Sequence, residues 1–154
     1  MASGRAVYLR LRDTLGTLTP TSLLAHDVET IRGSGVTRQK TRYLRLIAEQ
    51  IQNEQLDLPG LSRLDDDAVR KRLTAIIGIG PWTAEVYLLM ALRRPDAWPA
   101  GDIALAEAAR RLKGWRLRPD PEKLNRMATE WRPWRATAAR MLWQRYLKRQ
   151  RGPG

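Results

Sequence analysis

The sequence predicts an all-α fold, and three observations carry that prediction. Apolar residues recur at three- and four-residue spacing, as in Val7, Leu11 and Leu15 and again in Leu44, Ile47, Ala48 and Ile51. Residues that cap helices stand at the head of several runs: Thr37, Asp65, Asp102 and Asp120. Strand formers are thin, because Val is scarce and Phe does not occur. With 154 residues, one domain is the default, and such a chain can bury roughly two-thirds of its unfolded surface. The reading is one helical domain over residues 1–154, without repeats.

Taken in order, residues 3–16 form a first helix ending near Gly16, and Pro20 breaks the chain. Residues 21–32 read as one or two short helices, followed by a turn at Gly33-Ser34-Gly35. Thr37 caps a long helix to about Gln52, with a basic opening in Arg38, Lys40, Arg42 and Arg45. Pro59-Gly60 is a linker turn. Asp65 caps the first helix of a hairpin motif spanning 65–94. Residues 94–101 are a loop, and Asp102 opens a helix to about Lys113. Asp120-Pro121 starts another, to Glu130. Pro133 opens the last, with Ala139, Leu142, Trp143, Tyr146 and Leu147 inward, and residues 148–154 form a basic tail.

Charge narrows the function. Twenty-eight Lys and Arg against 16 Asp and Glu give a net charge of +12. That balance points to a polyanionic partner, nucleic acid first, although an Arg-rich soluble protein would share it. The absence of Cys excludes disulfides, thiolate zinc sites, iron–sulfur clusters and a Cys nucleophile. No apolar run is long enough to span a membrane, and the first residues lack the apolar region of a signal peptide. A cytoplasmic, nucleoid-associated protein is expected. His26, the one histidine, reads as a surface or cap residue, and no side-chain transition-metal site is plausible.

The stretch Leu73 to Ala84 is the organising one. Before it, Val69, Leu73, Ile76 and Ile77 recur with helical spacing; after it, Ala84, Tyr87, Leu88 and Ala91 share a face. Gly78 and Gly80 permit a tight turn and a close backbone approach to a ligand. Pro81 suits the first position of the second helix. Free N–H groups at that helix start form an anion site, and a DNA phosphate is the anion that suits this basic chain. An ordinary helix corner fits these residues as well. A dinucleotide fingerprint does not, since Thr83 stands where its third glycine is required.

Asp102 follows Pro99-Ala100-Gly101 and precedes an Ala-rich helical run. It reads as an N-cap. A capping carboxylate is also held rigidly with its charge favoured by the helix dipole, which suits a catalytic anion, so the two readings coexist.

Together, Gly78-Ile79-Gly80-Pro81-Trp82-Thr83-Ala84, then Pro99-Ala100-Gly101-Asp102, then Trp131-Arg132-Pro133-Trp134-Arg135 resemble the helix–hairpin–helix DNA glycosylases. More narrowly they resemble the bacterial DNA-3-methyladenine glycosylase II group. Gly35 to Lys40 is similar to that group's approach to its long helix. The similarity runs from about residue 2 to about residue 147.

The resemblance implies a helical glycosylase domain, incomplete at its N-terminus. Asp102 falls where the family keeps its catalytic aspartate. Backbone N–H groups near Gly78, Gly80 and Thr83 would hold a phosphate. Carbonyls of Thr74, Ile76 and Ile79 would hold a monovalent cation, Na+ or K+; no other cofactor is expected. Trp82 and Trp143, with Tyr87 as a further candidate, would line the pocket for the damaged base. Core packing is the competing reading for these aromatics, and the preferred one for Trp98, Trp115, Trp131 and Trp134. The implied partner is double-stranded DNA containing alkylated bases.

The chemistry would be base excision. An alkylated purine such as 3-methyladenine or 7-methylguanine carries positive charge and leaves readily, and Asp102 would stabilise the oxocarbenium-like sugar. Electron-rich indoles attract a cationic base. Bifunctional relatives place a lysine where this chain has Trp82, so a hydrolase without lyase activity is implied. Relatives carry upstream helices and a segment that fills the gap left by the flipped base. Without them, reduced activity and self-association are expected. The alternative is a non-catalytic helix–hairpin–helix DNA-binding module; a basic RNA-binding helical protein is a third, poorer fit.

Overall fold

The computed structural model describes residues 2–150. Among them the fold is all-α, with nine α-helices, two short 3-10 turns and no strand. The helices are α1 (Ala2–Leu15), α2 (Pro20–Ala25), α3 (Val28–Gly33), α4 (Arg38–Gln52), α5 (Asp66–Thr74), α6 (Pro81–Met90), α7 (Ile103–Leu112), α8 (Pro121–Ala128) and α9 (Arg135–Gln150). No described helix is long and apolar enough to cross a membrane. The expected basic tail begins inside α9, and its residues 151–154 lie outside the described residues.

Backbone packing divides the chain into two units. One holds α1 to α4 together with hairpin residues 76–78; the other holds α5 to α9.

In the first unit, Leu11, Leu15, Leu23, Ile31, Val36 and Ala48 form the core, with Val7, Leu24 and Leu44 packed against it. Local caps fix the helix starts. The Thr19 hydroxyl accepts from the Ser22 N–H, and Asp27 accepts from the Thr30 N–H. Thr37 caps α4 as expected, accepting from the Lys40 N–H at 3.3 Å. Arg10 ties α1 to the turn after α3 by donating to the Ser34 carbonyl at 3.1 Å. His26 is the cap residue ending α2; Arg45 donates to its carbonyl at 2.8 Å.

In the second unit α5 packs on α6, and α7 on both α8 and α9. Val69, Leu73, Leu88, Leu89, Leu105, Ala109, Leu124 and Ala139 are buried there. Asp65 and Asp120 cap α5 and α8 through the N–H groups three residues on. Glu107 accepts from both Arg110 and Arg111 on the next turn of α7, and these bonds lower its carboxyl from 4.5 to about 2.

Several sequence expectations are revised. Helix α5 stops at Thr74, so Ile77, expected on its buried face, leaves the helical repeat and is 61% exposed. On α6 the buried face is Ala84, Leu88 and Leu89, whereas Ala91 caps the helix end and is exposed. Pro59-Gly60 is no mere linker: residues Pro59–Arg63 wind into a 3-10 turn that buries Leu61 completely. Helix α8 ends two residues before Glu130, in a 3-10 turn over Thr129–Trp131. The last helix starts at Arg135, two residues after Pro133. Trp134 therefore precedes the helix and is 63% exposed, against the core position expected of it; it borders an open apolar groove with Leu112 and Met141.

Candidate functional site

The site is built around the loop that enters α7. Asp96 anchors its beginning: both carboxylate oxygens accept from Arg135, through Nε and Nη2, each at 2.7 Å. That fork-on-carboxylate pairing and the attached charge hold Asp96 below its ordinary carboxyl pKa. The Ala136 N–H donates to the Pro95 carbonyl at 2.9 Å. Mid-loop, the Trp98 N–H donates to Glu85 Oε2 at 2.9 Å, and the buried Trp98 ring meets Trp131 edge-on, 5.7 Å between centroids. Glu85 is itself paired with Arg70. At the end of the loop, the Asp102 N–H donates to the Pro99 carbonyl at 2.9 Å. A loop tied at three points delivers Asp102 to one place.

Asp102 is the N-cap of α7, with an extended backbone and Oδ1 accepting from the Leu105 N–H at 2.8 Å. Two indoles complete its shell. Trp143 Nε1 donates to Oδ1 at 3.1 Å, and Trp82 Nε1 donates to Oδ2 at 3.0 Å. Trp143 comes from α9 and is buried; Trp82 comes from the first turn of α6 and is 47% exposed. Every one of these donors is neutral. Among the described residues no Lys or Arg forms an ion pair with Asp102, so its charge is oriented without being cancelled. Two carboxylate oxygens offer about four lone-pair directions. Three are taken, and the one left lies on Oδ2.

The structure thus brings the catalytic candidate Asp102 together with Trp82 and Trp143, two of the three aromatic residues expected to line the base pocket. It adds what the sequence did not reveal: both indoles grip the aspartate. An indole N–H is donor-only, so a tryptophan near an unpaired carboxylate is the one signal that could have suggested it. Glu85 and the Asp96–Arg135 pair were also missed. Tyr87 stands apart from this network. It is half-buried on α6, and burial pushes its hydroxyl pKa up.

The hairpin glycines differ in kind. Gly78 has φ +95°, and a Cβ added there would collide with the Tyr43 ring. Conformation and space both require glycine. Gly80 has φ −90° and ψ 174°, and an added Cβ meets nothing within 4 Å. Its own surroundings do not explain it. Gly80 is also the N-cap of α6, whose N-terminus has no side-chain cap, unlike α2, α3, α4, α5, α7 and α8. Pro81 brings no N–H, which leaves the amides of Trp82 and Thr83 facing outward from an exposed first turn. Thr74 ends α5 with its hydroxyl donating to the Arg70 carbonyl at 2.7 Å; Ile76 is buried and Ile79 half-buried.

The chain thus combines an uncapped, anion-receptive helix start on a glycine hairpin with a next helix capped by an oriented carboxylate. The comparison with known families sharpens this. The model of the HhH-GPD superfamily of base excision DNA repair proteins matches residues 1–133, and the chain belongs to that superfamily. It is 29% identical, over 127 residues, to the alkylbase DNA glycosidase-like protein mag2 of Schizosaccharomyces pombe, covering 82% of this chain and 60% of that one. It is also 29% identical to the DNA-3-methyladenine glycosylase of Bacillus subtilis, covering 86% of this chain and 41% of that one. Among solved structures, the Schizosaccharomyces pombe 3-methyladenine DNA glycosylase in complex with abasic DNA superposes with a TM-score of 0.80 at 29% identity, over 90% of this chain and 69% of that one. The chain therefore spans about half the length of the curated relatives it matches.

Proposed function

We propose that this chain is a DNA glycosylase of base excision repair that hydrolyses the N-glycosidic bond of alkylated purines and does not cleave the strand. The observation that carries the proposal is the Asp102 carboxylate, fixed by the Leu105 N–H and two indole N–H groups and, among the described residues, in no ion pair with Lys or Arg. A cationic base such as 3-methyladenine needs little help to leave. What the reaction needs is stabilisation of the positive sugar that remains, and a preoriented anion supplies that without reorganising. Base flipping brings the glycosidic bond within reach. The free lone pair of Oδ2 then faces the sugar or orients the attacking water. The exposed face of Trp82 offers the cationic ring a cation–π surface. A tryptophan at position 82 has no amine, so no Schiff base can form there.

The DNA grip of the proposal is the start of α6. The amides after Gly80 and the partial positive charge of the helix suit a phosphate, and the superfamily match supports a DNA partner. The same reading carries a Na+ or K+ ion on the hairpin carbonyls of Thr74, Ile76 and Ile79. Neutral oxygen donors suit such a hard cation, and these three oxygens accept no turn or loop hydrogen bond among the described residues.

The test is a single-turnover release assay on methylated duplex DNA. The wild-type chain should release 3-methyladenine and leave the strand intact. Asp102→Asn should release it at least about a hundredfold more slowly while holding DNA within a few-fold of wild-type affinity. Equal release by both proteins would remove Asp102 from the chemistry. DNA binding without release by either would leave a binding module.

A further inference from the structure

An open cleft of about 460 Å³ adjoins the Asp102 site and shares a wall with it. Trp82, whose indole holds Asp102 Oδ2, lines the cleft, and so does Gly101, the residue before Asp102. We propose that this cleft seats one phosphodiester of the DNA strand that leads away from the flipped nucleotide, with the Arg132 guanidinium and the Asn125 amide as its donors. The inference rests on the glycosylase reading and adds a second backbone contact to the one at α6.

Charge identifies the ligand class. The charged side chains lining the cleft are Arg70, Arg132, Arg135 and Glu85, three cations to one anion. Glu85 is already taken up by Arg70 and the Trp98 N–H. Arg135 is largely buried and forked onto Asp96. Arg132 is different. Its side chain is 61% exposed, and its nearest approach to Asp96 is 3.9 Å, too long for a hydrogen bond, on a carboxylate that Arg135 already occupies. Its fork of donors remains available, and guanidinium donors match phosphate geometry. Asn125 is exposed across the same cleft. Pro81, Pro99 and Pro121 supply rigid apolar walls without N–H groups, suited to the carbon edges of deoxyribose.

Gly101 leaves the cleft wall open beside Asp102. It is exposed, it lies outside the left-handed region, and an added Cβ meets nothing within 4 Å. Neither conformation nor packing asks for glycine there, as with Gly80. A side chain at 101 would stand in the mouth of the cleft.

The experiment is a binding scan with duplexes containing an abasic-site analogue, in which each flanking phosphodiester in turn is replaced by an uncharged methylphosphonate. Wild type should lose about tenfold in affinity at one position. Arg132→Ala should bind the unmodified duplex about tenfold more weakly, with a salt slope smaller by about 0.9, and be indifferent to the replacement at that one position. Gly101→Glu should weaken binding more than Gly101→Ala, with melting unchanged in both. If Arg132→Ala and wild type respond alike at every position, the phosphate seat is wrong while the glycosylase reading stands. If wild type binds no duplex at all, the glycosylase reading itself fails.

Discussion

Asp96 and Asp102 stand at the two ends of one loop, and they are held in opposite ways. Asp96 is gripped by the Arg135 guanidinium, and its charge is cancelled on the spot. Glu107, five residues past Asp102, is likewise cancelled by Arg110 and Arg111. Asp102 is gripped as firmly, yet only by neutral N–H groups. A carboxylate that serves the fold is best paired with a cation, since a lone buried charge is costly. A carboxylate that must stabilise a cation made during a reaction has to keep its charge uncompensated until then. On the proposed function, the loop separates anchoring from chemistry within seven positions.

The sharpest way to break this contrast is to neutralise each aspartate in turn. Asp102→Asn retains a good helix cap, so melting should move little. Release of methylated base should fall by roughly 10² to 10³ or more, the scale of losing one preorganised electrostatic group. Asp96→Asn should do the reverse, keeping the rate per folded molecule while lowering the melting temperature. Activity loss in both, or in neither, would erase the distinction.

The hairpin repeats the contrast in its glycines. Gly78→Ala forces a Cβ onto the Tyr43 ring at a left-handed residue, and should cost about 2 kcal/mol or more in a denaturant titration. Gly80→Val meets open space at an ordinary backbone angle. Its stability should change by less than about 1 kcal/mol, while affinity for duplex DNA falls alike for all sequences. A Gly80→Val protein that bound DNA normally would show that nothing approaches the start of α6.

The donors to Asp102 come next in size. Trp82→Phe keeps an aromatic face for the base and deletes one N–H to Oδ2. A hydrogen bond to a charged group is worth about 1.5–3 kcal/mol, so the single-turnover rate should drop by roughly tenfold or more. An unchanged rate would mean that the indole only packs.

Much of this was legible in the sequence because helix caps act locally. Thr37, Asp65, Asp102 and Asp120 each bond an N–H three residues on, and each sets a boundary. Helix ends were less legible. The apolar repeat runs on through Ile76 and Ile77 after the chain has left α5, since periodicity does not register where the backbone turns. Trp134 was misjudged for the same reason, its facing set by a helix that begins one residue later. Long-range pairing was not legible at all. The bonds of Trp82 and Trp143 to Asp102 span 20 and 41 residues, and that of Arg135 to Asp96 spans 39. Residue type says what such groups can donate or accept; only the fold says to whom.

The smallest expected effect tests the anchoring half of the contrast through pH. Arg135 lowers the Asp96 pKa below its ordinary value of 3.8 in the folded chain. A depressed folded pKa means that the unfolded chain binds the proton first. The pair's contribution is therefore complete above 3.8 and is lost as pH falls below it toward the folded value. At neutral pH, Asp96→Asn should be less stable than wild type by about 1–2 kcal/mol, the worth of a charge-assisted bond at a partly exposed site. As the pH is lowered through 3.8, wild type should lose this advantage and the two melting curves converge. Glu107 titrates in both proteins across an overlapping range, from 4.5 down to about 2, so it lowers both curves without changing the gap between them. A gap that stays constant with pH would mean that Asp96 holds the loop by shape rather than by charge. Anchoring and chemistry could then no longer be told apart by how their carboxylates are paired.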